Sequence, residues 1–343
     1  MNSSKRIGSS TIRFASPPVF LSWANCGGKM EARGPLSRYF DILEDDSFWG
    51  EQTWERAEST MQIRAMELAL KKAKLTCSDI SLAFGGDLLN QCTGTSFAMR
   101  HWGMPYFGAY TACATVAESL ILAAMSIDGG YVSHSAAIAS SHYCTAERQY
   151  RTPMPYGNQR TPTAQWTATA CGCCILGKSG SGPRITHAVP GRITDLGLTD
   201  PNSMGAAMAP AAYETISAYF RDTGESHKDF DLILTGDLGR FGSDILRELF
   251  QRDGIDMSKN YFDCGVLLYN IPKQDMHCGG SGAGCSAAVL AGYLLGNLAS
   301  GKWQRILFAP TGALLSTTST FQGESIPGIC HALVIEADKE EQA

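Results

Sequence analysis

No run of about 18 apolar residues occurs anywhere in the 343-residue chain. A helix needs about that length to cross the hydrocarbon core of a bilayer, so the chain is not expected to span a membrane by itself. It has no basic excess either. Lys and Arg number 28 against 33 Asp and Glu, for a net charge of −5 and a pI of about 5.8. No basic stripe offers a nucleic-acid footprint, and no nucleic-acid partner is expected. Paired metal ligands are also missing. Cys171, Cys173 and Cys174 cluster in TATACGCCILG, but no second pair follows at zinc-site spacing. A buried strand is the expectation there, without a metal. Met1 to Arg13 carries charge with no apolar run behind it, so no signal peptide is expected. The twelve scattered cysteines are then expected to be free thiols.

What is present is core-forming. Hydrophobic residues make up 44% and charged residues 18%, the composition of a globular chain and not of a disordered one. The length calls for two domains or two fused halves. The central stretch is Gly108 to Asp128, GAYTACATVAESLILAAMSID. It reads as a short strand, a sharp turn, and a helix apolar nearly all round. Such a helix is buried. Cys113 stands at its head, where free backbone amides favour a thiolate or a bound anion. Cys113 is therefore a poised nucleophile or part of an anion-binding floor; packed core cysteine is the plain alternative, because cysteine is among the most buried residue types. Glu118, on the apolar helix, needs a partner or a cavity.

Along the chain, strands are expected around Pro17-Pro18, an amphipathic helix over Thr53 to Leu75, and strands at Ile80–Phe84, Met104–Tyr110 and Ala136–Ser141. Ser141 to Trp166 reads as a long polar loop holding His142, Glu147, Arg148, Arg151 and Arg160. Loops of that length are often lids or pocket walls. Thr167 to Leu176 reads as a strand, and GKSGSGP (177–183) as the joint between a first unit, 1–181, and a second, 182–343. The second unit repeats the first. DISLAFGGDL (79–88) returns as DFDLILTGDL (229–238), and the Cys113 segment returns as GAGCSAAVLAGYLLGNLASGKW (282–303), pairing Cys113 with Cys285 and Gly129 with Gly301. Helices are expected over Pro210–Arg221, ahead of these segments, and over Ser243–Arg252, between them. Matching units in the same order imply an internal duplication, with the two cysteine-headed helices side by side at the centre.

That pattern resembles the thiolase fold, an α/β architecture of two similar βαβαβαββ halves related by a pseudo-twofold axis, with buried central helices and a cysteine at the head of one. The motifs resemble more closely the stage V sporulation protein AD family of thiolase-like proteins. They are GGDLLNQ (85–91), TACA (111–114), SSHYCTAERQ (140–149), GLTDPNSMGAAMAPAA (197–212), LILTGDL (232–238) and GGSGAGCSA (279–287). The resemblance implies a protein, soluble or peripheral at the spore inner membrane, that binds dipicolinic acid, either alone or with calcium. It would act with the membrane proteins of the stage V sporulation A complex in uptake of calcium dipicolinate and its release at germination. It also implies Asp87 and Cys113 in the ligand pocket.

Chemistry adds candidates. Dipicolinate is a planar dianion, and Arg148 and Arg151 could grip its carboxylates or else be solvated, with an Arg–Glu147 pair as a structural use. His142 could line the pocket or serve the core. Asp87 would repel a dianion unless protonated, bridged by calcium or tied to turn amides; a turn cap is its plain role. Its repeat mate Asp237 is expected to be a structural cap. The chain departs from the thiolase enzymes in two places. Their catalytic histidine falls in a glycine-rich segment that here reads CGGSGAGCSA, and their late cysteine turn reads PTGALLS (310–316). Acyl transfer needs a base and an oxyanion hole, so a binding protein without catalysis or cofactor is expected. The rival is an acyl-transfer enzyme using Cys113 with His142, His277 or His331 as base. The resemblance also implies a homodimer through Met104–Tyr110, since in thiolase-like folds the corresponding strand pairs across the dimer axis; an unpaired apolar edge is otherwise a hazard.

Overall fold

The computed structural model describes residues 5–150 and 160–338. The central sheet has thirteen strands among the described residues, ten of them along its main path. In chain order these ten are β1 (Val19–Gly27), β2 (Leu82–Gly86), β3 (Tyr106–Gly108), β4 (His134–Ser141), β5 (Ala170–Gly177), β6 (Arg184–Val189), β7 (Leu232–Thr235), β8 (Tyr261–Asp263), β9 (Arg305–Ala309) and β10 (Ala332–Glu336). Their spatial order is β8-β7-β9-β10-β6-β1-β5-β4-β2-β3. Read outward from the middle, the first five strands run β1, β5, β4, β2, β3 and the last five run β6, β10, β9, β7, β8. The two sequences are the same with every number raised by five. Pairing directions match as well. β2 is parallel to β3 and β4, as β7 is to β8 and β9, while β5 and β10 run antiparallel to both neighbours. The two sets meet where Arg184 of β6 pairs with Val19 of β1. A short leading strand, Thr11–Arg13, pairs with β6.

The helices follow the same plan. α1 (Trp54–Ala73) and α5 (Met204–Thr223) occupy equivalent places, each 20 residues long. The Thr53 hydroxyl caps α1 by accepting the Arg56 N–H, and Lys74 closes it in the left-handed conformation. Ala57, Met61, Ala65 and Ala69 are buried along one face, the stripe that the 3.6-residue period requires. α2 (Thr93–Trp102) answers α6 (Gly239–Arg252). α3 (Thr115–Asp128) follows a one-turn 3-10 segment at Ala112–Ala114. Between β4 and β5 stands α4 (Tyr143–Tyr150). The counterpart of α3 is α7 (Ala283–Val289), which continues through a π-turn into Leu295–Ala299. The two central helices touch where the Ser286 hydroxyl lies 3.4 Å from the Cys113 carbonyl oxygen.

The CGCC run is the interior strand β5, buried at every residue. Its small residues have a steric cause. A Cβ on Gly172 would overlap the backbone carbonyl of Ala287, so α7 lies directly on that strand. On the opposite face Cys173 meets Met66 of α1, sulfur to sulfur at 3.5 Å. All twelve cysteines are free thiols.

Two expected boundaries are corrected. Pro210 does not start its helix; α5 begins six residues earlier and carries Pro210 inside. The proline deprives the Ala206 carbonyl of its helical donor, but both residues are only half-buried, and water can satisfy that oxygen. Ser141–Trp166 is not loop throughout. Residues 143–150 form α4, started where the Thr145 hydroxyl donates to the His142 carbonyl at 2.9 Å and tied down by Tyr143 stacked on Trp166, with centroids 3.9 Å apart. β3 is the terminal strand of the sheet, and Phe107 on it is 61% exposed.

Candidate functional site

A cavity of about 390 Å³ opens beside the head of α3 and is walled by both halves. The first half contributes Ala112, Cys113 and α4; the second contributes α5, Asp237 and Ser281. Ala112 is held at φ 51°, a left-handed conformation that costs a side-chain-bearing residue energy and is found at functional turns. The turn is fixed by Thr115, whose hydroxyl donates to the Ala112 carbonyl at 2.7 Å and accepts the Thr111 N–H at 3.2 Å.

Cys113 is on the lining, 8% exposed. Its sulfur lies 3.8 Å from the Ser281 hydroxyl. That hydroxyl donates to Oδ2 of Asp237 at 2.7 Å, and the Thr311 hydroxyl donates to Oδ1 at 2.8 Å. The Gly282 amide adds a third donor at 3.3 Å. Burial pushes the Asp237 carboxyl up, and the Cys113 thiol, followed by these donors, opposes the shift. The Cys113 thiol is pushed well up, first by burial and then by the Asp237 charge. Helix-end amides favour a thiolate, but at this place burial and a neighbouring carboxylate outweigh them, and the sulfur is held as a thiol.

Asp87 does not line the cavity. Its carboxylate accepts the Leu89 N–H at 2.8 Å and both the N–H and hydroxyl of Thr95 at 2.6 Å. It is spent on closing the turn and capping α2, fully buried. Burial raises it, while burial and then the Asp87 charge push Glu58 up to about 8. The expectation for its repeat mate is reversed also. Asp237 lines the cavity, and capping in the second half falls to Asp263, which accepts from Leu238, Gly239 and Val266 amides at 2.9, 3.1 and 3.2 Å.

His142 is buried away from the cavity. Its Nδ1 accepts the Cys144 N–H at 3.2 Å, so Nε2 carries the proton and donates to the Ser47 carbonyl at 2.8 Å. Burial lowers its pKa. Arg148 turns outward to an ion pair with Glu55 and lies over the Trp54 ring. Neither residue faces the cavity because each finds a nearer partner in the segment around α1. Arg151 lies outside the described residues. Glu118 accepts from the Thr111 hydroxyl at 2.9 Å. His277 bonds the Thr161 carbonyl at 2.7 Å, and His331 accepts the Gly191 N–H at 2.9 Å and is pushed down to about 4 by burial. Among the described residues that line the cavity there is no histidine, lysine or arginine; its ionisable groups include the carboxylates of Glu147 and Asp237. No group of three or more metal-type ligands stands among the described residues.

Residues 8–336 match the family model described as Stage V sporulation protein AD (SpoVAD). The chain belongs to that family. It is 40% identical over 332 residues to stage V sporulation protein AD of Bacillus subtilis (strain 168), covering 97% of this chain and 98% of that one. Among solved structures it resembles 3-oxoacyl-[acyl-carrier-protein] synthase III of Aquifex aeolicus, with a TM-score of 0.59 at 14% identity over 93% of this chain and 99% of that chain. An OleA variant of Xanthomonas campestris gives a TM-score of 0.61 at 14% identity, over 94% and 99% of the two chains. These likenesses establish the thiolase-like fold. Within the family's glycine-rich GGSGAGCSA segment, Ser281 is what reaches Cys113, while Cys285 is fully buried behind it. Sequence reasoning passed over Ser281 and Thr311. Their signal was indirect: both sit in the two segments singled out as departures from the thiolase enzymes.

Proposed function

We propose that this sporulation protein binds dipicolinic acid in the Cys113 cavity and performs no acyl transfer. The observation that carries the reading is the composition of the Cys113 surroundings. The sulfur is a buried thiol beside a carboxylate, and the described lining supplies no imidazole to activate it. Acyl transfer by cysteine needs that base. A concave, largely apolar site with a few convergent polar groups suits a small planar ligand. Tyr110, Tyr150 and Leu88 offer flat apolar surface, and Cys113, Ser281 and Gln165 offer polar contact. In this reading the protein works with the stage V sporulation A membrane proteins in dipicolinate uptake and release, docked peripherally; no helix among the described residues is long and apolar enough to cross a membrane. Calcium, where it takes part, arrives with the ligand. The exposed edge of β3 is the surface proposed for a homodimer.

Two measurements on one preparation test the reading. Titration with dipicolinic acid, with and without calcium chloride, is expected to show saturable binding. Incubation with acyl-CoA is expected to leave the intact mass unchanged. A stable acyl adduct on Cys113, or turnover, would establish the rival enzyme.

A further inference from the structure

We propose that the Cys113 cavity takes its dianionic ligand together with one proton, and that Asp237 is the residue that receives it. The inference rests on the dipicolinate reading above. A ligand with two carboxylates enters a cavity whose described lining carries Asp237 and Glu147 and no cation. Adding a dianion beside a buried carboxylate in a weakly screening site is strongly unfavourable. Protonating that carboxylate removes the repulsion.

The geometry selects Asp237. Its Oδ2 accepts from the Ser281 hydroxyl and the Gly282 amide, whereas Oδ1 accepts from Thr311. Oδ1 therefore keeps a lone pair able to take the proton. Ser281 links the carboxyl to the Cys113 sulfur, and all three side chains line the cavity that receives the ligand. Asp263, the neighbouring carboxylate, accepts from three amides and the Thr235 hydroxyl; burial pushes it up to about 7, but it does not line the cavity, so the ligand meets Asp237 and not Asp263. The titratable groups that bear on Asp237 from the packed elements are Cys113, Asp263, Cys264, Cys285 and Cys330, with Glu147 on the same cavity wall. All are acids, so none offers a positive charge to offset the ligand. The upward shift that burial already imposes on Asp237 is in the same direction. The shared ligand chemistry is an aromatic dicarboxylate, and the affinity it shows depends on how readily Asp237 is protonated.

Dipicolinic acid is the probe. Calorimetric titration of the full chain between pH 6 and pH 8.5, each pH in two buffers of different ionisation enthalpy, reads affinity and proton uptake together. We expect close to one proton taken up per ligand, and affinity falling about tenfold per pH unit once Asp237 is ionised in the free protein. Asp237→Asn should bind with a flat pH profile and no uptake. Thr311→Val removes a donor to the anion and should move the fall in affinity to higher pH; it decides the matter if Asp237→Asn does not fold. Binding without proton uptake overturns the proposal while leaving the dipicolinate reading intact, as does uptake that survives Asp237→Asn or a fall that Thr311→Val leaves in place. Binding that requires calcium and takes up no proton also overturns it. Absence of binding at every pH overturns the dipicolinate reading itself.

Discussion

Asp87 and Asp237 follow equivalent strands in the two halves, yet one closes a turn and the other faces a cavity. The difference lies in what stands beside each. Next to Asp87, the Thr95 hydroxyl and the amides of Leu89 and Thr95 surround the carboxylate. In the second half the amide that corresponds to that of Leu89, the Gly239 amide, turns to Asp263 from β8 together with the neighbouring Leu238 amide. Asp237 is thereby released toward Ser281, Thr311 and the head of α3. A duplicated scaffold has thus kept two copies of a motif and specialised one of them. Internal repeats locate the pair; only the neighbours decide which member meets a ligand.

The sharpest break in the comparison should come at the glycines before the two aspartates. A Cβ on Gly86 would overlap the Ala109 carbonyl, whereas one on Gly236 would come to 3.0 Å from the Pro310 backbone. Gly86→Ala is therefore expected to destabilise by on the order of 3 kcal/mol and Gly236→Ala by about 1 kcal/mol, read from denaturant midpoints. Equal losses would mean the two turns are packed alike. Asp87→Ala comes next. It strands two buried amides and a hydroxyl, at a cost of about 2–3 kcal/mol, while dipicolinate affinity of the folded fraction should change less than about threefold. An affinity loss with stability intact would place Asp87 in the site after all.

A smaller effect separates the halves by pH. Glu58, beside Asp87, is held up to about 8 against an ordinary value of 4.5. The folded state therefore binds its proton more tightly than the unfolded state. Its contribution is fully present below pH 4.5 and is lost as pH rises through about 8. Glu58→Gln should raise the melting temperature at pH 8 relative to wild type by several degrees, roughly 1–2 kcal/mol, and do little at pH 5. A rise of the same size at both pH values would contradict the assignment. The smallest expected effect is on reactivity. Iodoacetamide at pH 7.5 should label the partly exposed Cys77 well before the buried Cys113; rapid labelling of Cys113 would signal an activated thiolate.

Much of this architecture was legible. The constant offsets between 79–88 and 229–238, and between Cys113 and Cys285, exposed the duplication, because repeats survive as spacing whatever the neighbours are. The place of Cys113 at the head of a central helix was legible from the small-residue turn that feeds an all-apolar helix; that it lines a cavity while Cys285, in the repeated segment, is fully buried was not. The remaining site residues were not. Arg148 and His142 sit in a motif of the family, but their partners, Glu55 and Ser47, come from a segment some 90 residues away, and no local pattern encodes that reach. α4 was hidden because its polar sequence shows no apolar stripe long enough to mark a helix. Pro210 misled for a different reason: proline is favoured at the first turn of a helix, and here half-exposure lets it sit inside.

The central claim is that Cys113 forms the floor of a binding cavity without acting as a nucleophile. Calorimetric titration of wild type, Cys113→Ala and Cys113→Glu with dipicolinic acid at pH 6 tests it most directly. The account predicts saturable binding by wild type, a loss of about tenfold or less for Cys113→Ala because neighbouring donors remain, and no measurable binding for Cys113→Glu, whose side chain fills the cavity and adds negative charge. Binding by Cys113→Glu equal to that of wild type, or no saturable binding by wild type, would contradict it.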